Sequence, residues 1–176
     1  MIRSVLVATL LASSTAFADD SEQGELTGIY AGLGGGGVIL IIPGDNTFGY
    51  DLELRVGYSL NPTFQVFLSG ALDGGSFAGA SFRAGQIVAF GQYHLLVKPA
   101  AMVYVRAGIG VGLSRDVVPG STAAGFAGAA GVGTEFRIAP NLFLAPEVFY
   151  RNSQLSSQGT DMQVQVVGLQ LGLVYY

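Results

Sequence analysis

The stretch Phe48–Leu60, FGYDLELRVGYSL, decides the fold. Tyr50, Leu52, Leu54, Val56, Tyr58 and Leu60 fall on one face of an extended chain. Asp51, Glu53, Arg55, Gly57 and Ser59 fall on the other. Period-two alternation marks a strand with one apolar face. The pattern recurs in Val103–Ser114, Ala130–Ile138, Leu142–Arg151 and Val167–Tyr175. Strands of about ten residues suit a tilted membrane crossing, whereas soluble strands run to about five or six.

Composition decides which way the apolar face turns. The 176 residues are 50% hydrophobic and only 11% charged. A soluble domain carries roughly 25% charged residues. The polar faces hold Gly, Ser, Gln and a few acids and bases, too little charge for a soluble β-surface. A membrane barrel turns its apolar face to lipid and its polar face inward. With one Lys, seven Arg and a net charge of −4, the chain is no polybasic nucleic-acid binder. Without cysteine it has no disulfide framework and no thiolate metal site.

No helical span accounts for the hydropathy. Val117–Thr134, a long uncharged internal stretch, holds Pro119 and five glycines, and each helical glycine costs about 1 kcal/mol against alanine. The first eighteen residues read as a signal peptide: Arg3, the apolar Val5–Ala12, and Ala16-Phe17-Ala18 as an A-x-A site. Cleavage after Ala18 would leave 158 residues, with the charge at −5 once Arg3 is lost. Residues 19–25 read as an acidic periplasmic tail, and 26–176 as the barrel.

Turn signals supply the strand count. Asn61-Pro62, Lys98-Pro99-Ala100 and Ala139-Pro140-Asn141 read as tight turns. Pro43–Thr47, Asp73–Ser76, Arg115–Ala124 and Asn152–Asp161 read as longer connections. Seven connections join eight strands, expected near 26–38, 48–60, 63–72, 78–96, 102–114, 125–138, 141–151 and 162–176. The expected fold is therefore all-β, an eight-stranded antiparallel up-and-down transmembrane β-barrel with both termini in the periplasm. Aromatics on the lipid face should mark the membrane interfaces: Tyr50, Tyr58, Phe126, Phe136, Tyr150 and Tyr175. The eight residues from Tyr50 to Tyr58, at about 3.4 Å each and a tilt near 40°, span roughly 21 Å, close to an apolar band of about 25 Å.

Charges on the polar faces should point into the lumen, because an Arg facing mid-bilayer lipid costs about 2–4 kcal/mol. They are Asp51, Glu53, Arg55, Arg106, Glu135, Arg137, Glu147 and Arg151, four acids and four bases able to pair. Gly108, Gly110 and Gly112 should make room for their long side chains. Strand four breaks phase: Phe82 and Ala84 suggest even residues face lipid with Arg83 inside, and Ile87, Ala89, Tyr93 and Leu95 suggest odd ones do. A bulge near Gly85 would reconcile them. Val38–Ile42 is too apolar for an exposed loop, and either extends strand one or lies back on the membrane.

The Gly108-Ile-Gly110-Val-Gly112 strand, the Gly131-Val-Gly133-Thr-Glu135-Phe136 strand with its Pro-Asn turn, and the aromatic C-terminus together resemble the small OmpA/OmpX-type outer-membrane β-barrels over nearly all of residues 24–176. The resemblance implies the outer membrane of a Gram-negative bacterium as location. It implies outer-membrane lipid, the barrel-assembly machinery and periplasmic chaperones as partners. Leu169, Leu171, Leu173, Tyr175 and Tyr176 would carry the assembly signal. A single barrel domain, without a periplasmic peptidoglycan-binding domain, is expected as a monomer.

Other motifs weigh less. Gly32–Gly37 matches G-x-G-x-x-G, but no helix pattern follows. No carboxylates have Ca²⁺-loop spacing, and no metal or cofactor is expected. Three roles stay open. The first is a structural barrel with a lumen plugged by Arg/Glu/Asp pairs and no catalytic residue. The second is a narrow ion channel or small porin. The third is a lipid A-modifying enzyme using His94, the only histidine, although no His-x-Ser accompanies it.

Overall fold

The computed structural model describes residues 26–42, 45–77, 80–115, 122–157 and 160–176. The signal peptide and acidic tail expected at 1–25 lie outside them. Eight strands follow one another: β1 (Gly28–Ile42), β2 (Asp45–Asn61), β3 (Phe64–Phe77), β4 (Ala80–Val97), β5 (Ala101–Arg115), β6 (Thr122–Ala139), β7 (Leu142–Ser157) and β8 (Thr160–Tyr175). Each pairs antiparallel with the next, and β1 pairs with β8 to close the ring. Among the described residues no helix is long and apolar enough to cross a membrane. The start of β1, the end of β8 and the turns after β2, β4 and β6 share one end, here the turn end. The ends of β1, β3, β5 and β7 and the starts of β2, β4, β6 and β8 share the far end.

Alternation sets the two faces. On β2, Asp51, Glu53 and Arg55 are buried, and Leu52, Leu54 and Val56 between them are exposed, Leu54 by 68%. The same inversion runs round the ring, through Leu68, Ile87, Ile109, Val132, Val148 and Leu169. An apolar outer band of this kind is the lipid-facing surface of a membrane barrel. Inside, apolar side chains pack toward both ends. Val38, Leu40, Phe149, Leu155, Val164 and Val166 gather toward the far end. Tyr30, Phe67, Phe90, Met102, Phe143 and Val174 gather toward the turn end. An eight-strand ring leaves room for little beyond such filling.

Two sequence expectations change, and one open alternative is decided. β4 keeps one phase: Ala84, Gln86, Val88, Phe90, Gln92 and His94 are all buried inside. Its pairing with β5 runs unbroken from Arg83↔Arg115 through Gln86↔Gly112, and the register shifts at His94/Leu96, not near Gly85. Arg83 faces outward and exposed. It stands one row past Leu72–Gly85–Leu113, where the apolar band ends and a charge is cheap. Second, Val38–Ile42 extends β1, with Val38 and Leu40 filling the lumen. Third, the far-end hairpins are longer than their polarity suggested. Asp73–Ser76 belongs to β3 and Asn152–Ser157 to β7. Asn152 and Gln154 stand on the outer face above Tyr150, while Ser153 and Leu155 remain inside.

Candidate functional site: the charged lumen

Between the two apolar ends lies a connected set of ion pairs. Arg106, from β5, grips Glu53 of β2 with both terminal nitrogens, at 2.7 and 2.9 Å, and Glu147 of β7 through Nε at 2.6 Å. Arg151, from β7, reaches Glu53 through Nη2 at 2.7 Å. Its Nη1 donates to Asp51 at 2.5 Å and to Asp73 of β3 at 3.0 Å. The Tyr104 hydroxyl donates to Glu147 at 2.7 Å, and the Gln170 amide of β8 does so at 3.2 Å. The network therefore ties β2, β3, β5, β7 and β8 across the lumen. Charges taken out of water must be paired and saturated with hydrogen bonds, and the forked guanidinium does both.

Aromatic rings lie against the guanidiniums. Arg151 lies 4.1 Å over Phe149, and Arg106 lies 4.7 Å over Phe90. Phe90 stacks on Phe67 at 4.9 Å. Ring faces attract the cation while its edge nitrogens stay free for carboxylates. Glu147 also depends on a missing side chain: a Cβ on Gly131 would stand 2.2 Å from Glu147 Oε1.

A second polar group fills the turn end. Glu135 accepts from the Tyr176 hydroxyl at 2.7 Å and from Gln92 at 3.3 Å, and His94 Nε2 stands 3.5 Å from it. Gln65 donates to the Tyr176 hydroxyl at 2.8 Å. The Tyr176 ring stacks on Tyr30 and meets Phe143 edge-on, each at 5.2 Å.

Of the eight charges assigned to the lumen, the structure buries Asp51, Glu53, Arg55, Arg106, Glu135, Glu147 and Arg151 inside the ring. Arg55 lies 5.9 Å over Phe67 and makes no ion pair among the described residues. Arg137 departs from the expectation. It has the inward phase but sits at the turn-end rim, exposed, over Phe143 at 5.2 Å. It lies beyond the last packed layer, so water solvates it and no carboxylate is needed. The glycine expectation also changes. Gly108 borders Val88 and Phe90, Gly110 borders the β4 backbone, and Gly112 borders Ser153. Room for the charges comes instead at Gly131, Gly32 and Gly172.

Asp73, within the expected Asp73–Ser76 connection, joins the network although the sequence reading does not name it. Its signal was present, because Gln65, Phe67, Ser69, Ala71 and Asp73 keep phase opposite Val66, Leu68, Gly70 and Leu72. The uncharged partners Tyr104, Gln92 and Gln170 carry the inward phase in the sequence, but nothing there marks them as partners of Glu147 and Glu135. Tyr50, Tyr58, Phe126, Phe136 and Tyr150 are exposed on the outer face, and Tyr175 is half-buried there. Leu169, Leu171 and Leu173 also face outward, whereas the Tyr176 ring turns into the lumen.

No protein-family model matches the chain, and no curated relative matches it by sequence. Solved structures do. The Neisserial surface protein A superposes with a TM-score of 0.73 at 16% identity, over 85% of this chain and 97% of its own. The outer membrane protein OprG from Pseudomonas aeruginosa gives 0.55 at 14% identity, over 87% and 97%. The outer membrane enzyme PagL gives 0.53 at 15% identity, over 82% and 97%. A closed ring of eight antiparallel strands is thus the fold this chain shares with the small outer-membrane β-barrels.

Proposed function

We propose that this protein is a structural barrel of the Gram-negative outer membrane, exported by residues 1–18, monomeric, and closed to ions. The observation that carries the reading is the lumen, packed along the described residues: apolar side chains, four carboxylates with their arginines, Glu135 held by Gln92 and Tyr176, then the Tyr30–Tyr176–Phe143 cluster. A water path would need space beside these groups, and an eight-strand ring has little. The outer apolar band supports residence among lipids, with Tyr50, Tyr58, Phe126, Phe136, Tyr150 and Tyr175 toward its two edges. In this reading the turn end faces the periplasm. Outward Leu169, Leu171, Leu173 and Tyr175, with terminal Tyr176, present the strand that the assembly machinery engages, after escort by periplasmic chaperones.

His94 weighs against the enzymatic alternative. Its ring is buried beside Gln92, Glu135 and Tyr104 inside the wall, where a membrane-bound substrate has no route to it. Single-channel recording of the refolded protein in a planar bilayer tests the closed lumen. Insertion without discrete current steps is expected. Salt-dependent steps would put the narrow channel in its place.

A further inference from the structure

The carboxylates of the central network outnumber its cations. Asp51, Glu53, Asp73 and Glu147 face Arg106, Arg151 and the more distant Arg55, all buried. The imbalance has an address. Glu53 and Glu147 each have both oxygens hydrogen-bonded. Asp51 and Asp73 do not: directly opposite each other on β2 and β3, they share the single Nη1 of Arg151. Oδ2 of each is buried without a partner among the described residues.

A third unpartnered oxygen stands on the neighbouring strand. Gln86 of β4 stands on the diagonal from Asp73, across the small Ala71 and Ala84, within reach of a long side chain. Its Nε2 is committed to Ser153 at 2.8 Å, and its Oε1 is buried and unpartnered. Two facing carboxylates, served by one nitrogen in a dry interior, repel each other. Oxygen atoms of this kind are the donors that hard cations take.

We propose that the Asp51–Asp73 pair binds one monovalent cation from solution, a proton or an alkali ion, with Gln86 as the neighbouring oxygen. The bound charge brings the central network to neutrality. The site goes beyond the structural role and is independent of it, since a conducting barrel could hold it equally.

The test uses the folded protein in detergent micelles. Infrared spectroscopy reads the carbonyl stretch of a protonated carboxylic acid at neutral pH. Urea unfolding is followed as sodium chloride replaces choline chloride at fixed ionic strength. A protonated-acid band absent from Asp73→Asn and from Asp51→Asn identifies the occupant as a proton. An unfolding constant that falls up to about tenfold per tenfold rise in sodium, with the dependence gone in both variants, identifies an alkali ion. The proposal is overturned if the unaltered protein shows neither signal. It is equally overturned if both variants keep whichever signal appears. Should one variant not fold, the other and the unaltered protein still decide.

Discussion

Glu53 accepts from two guanidiniums at once, bidentate from Arg106 and singly from Arg151. Replacing it with Gln leaves both cations short of a carboxylate in a place water does not reach. Removing one partner of a buried pair costs about 3–5 kcal/mol, and Glu53→Gln should lose that much in urea unfolding from micelles. A double-mutant cycle with Arg106→Gln should return a coupling of about 1–3 kcal/mol. Zero coupling would mean the two side chains are not paired in the folded barrel. Residues of the opposite fate show what burial adds. Arg137 and Arg83 carry the same guanidinium, but each stands past the edge of a packed or apolar layer and needs no acid. Charge by itself therefore did not reveal which arginines enter the network. Phase and distance from the strand ends did, and only the first can be read from sequence. Asp73 is the converse, an acid in the inward phase on a strand that runs on past its polar neighbours to Phe77.

At the level of the element, β7 divides its outer face in two. Leu144, Pro146, Val148 and Tyr150 belong to the apolar band, while Asn152, Gln154 and Ser156 rise above it. The depth dependence of a lipid-facing arginine turns this boundary into a measurement. Val148→Arg should cost about 2–4 kcal/mol of folding free energy in lipid vesicles, and Gln154→Arg about 0–1. Equal penalties would move the boundary. The same division explains which strands were legible. β2 and β5 alternate with large apolar residues, so their faces are legible in the sequence. Those of β4 are not, because Ala84, Gly85 and Ala89 say little about side and Arg83 lies beyond the band. Polar outer residues at the far end imitate loops for a related reason: a strand that leaves the hydrocarbon loses its apolar half-pattern while keeping its hydrogen bonds.

Across the whole molecule, the ring closes through eleven paired positions of β1 and β8, from Ala31↔Tyr175 to Ile41↔Gln165, so no sheet edge remains for other chains to extend. The central ion pairs join residues 98 and 100 positions apart in the sequence. Contacts of such range form late. That sets a constraint on the route into the bilayer. A half-curled sheet would present Asp51, Glu53, Arg106 and Arg151 to hydrocarbon, at a cost that no partly built intermediate could bear. Entry and circularisation must then be one event. Quenching of tyrosine fluorescence by brominated lipid, which times immersion, and resistance to unfolding in a detergent gel, which times the finished cylinder, should follow a single course. Immersion running well ahead would show that the strands enter one by one, with their charges still unmatched.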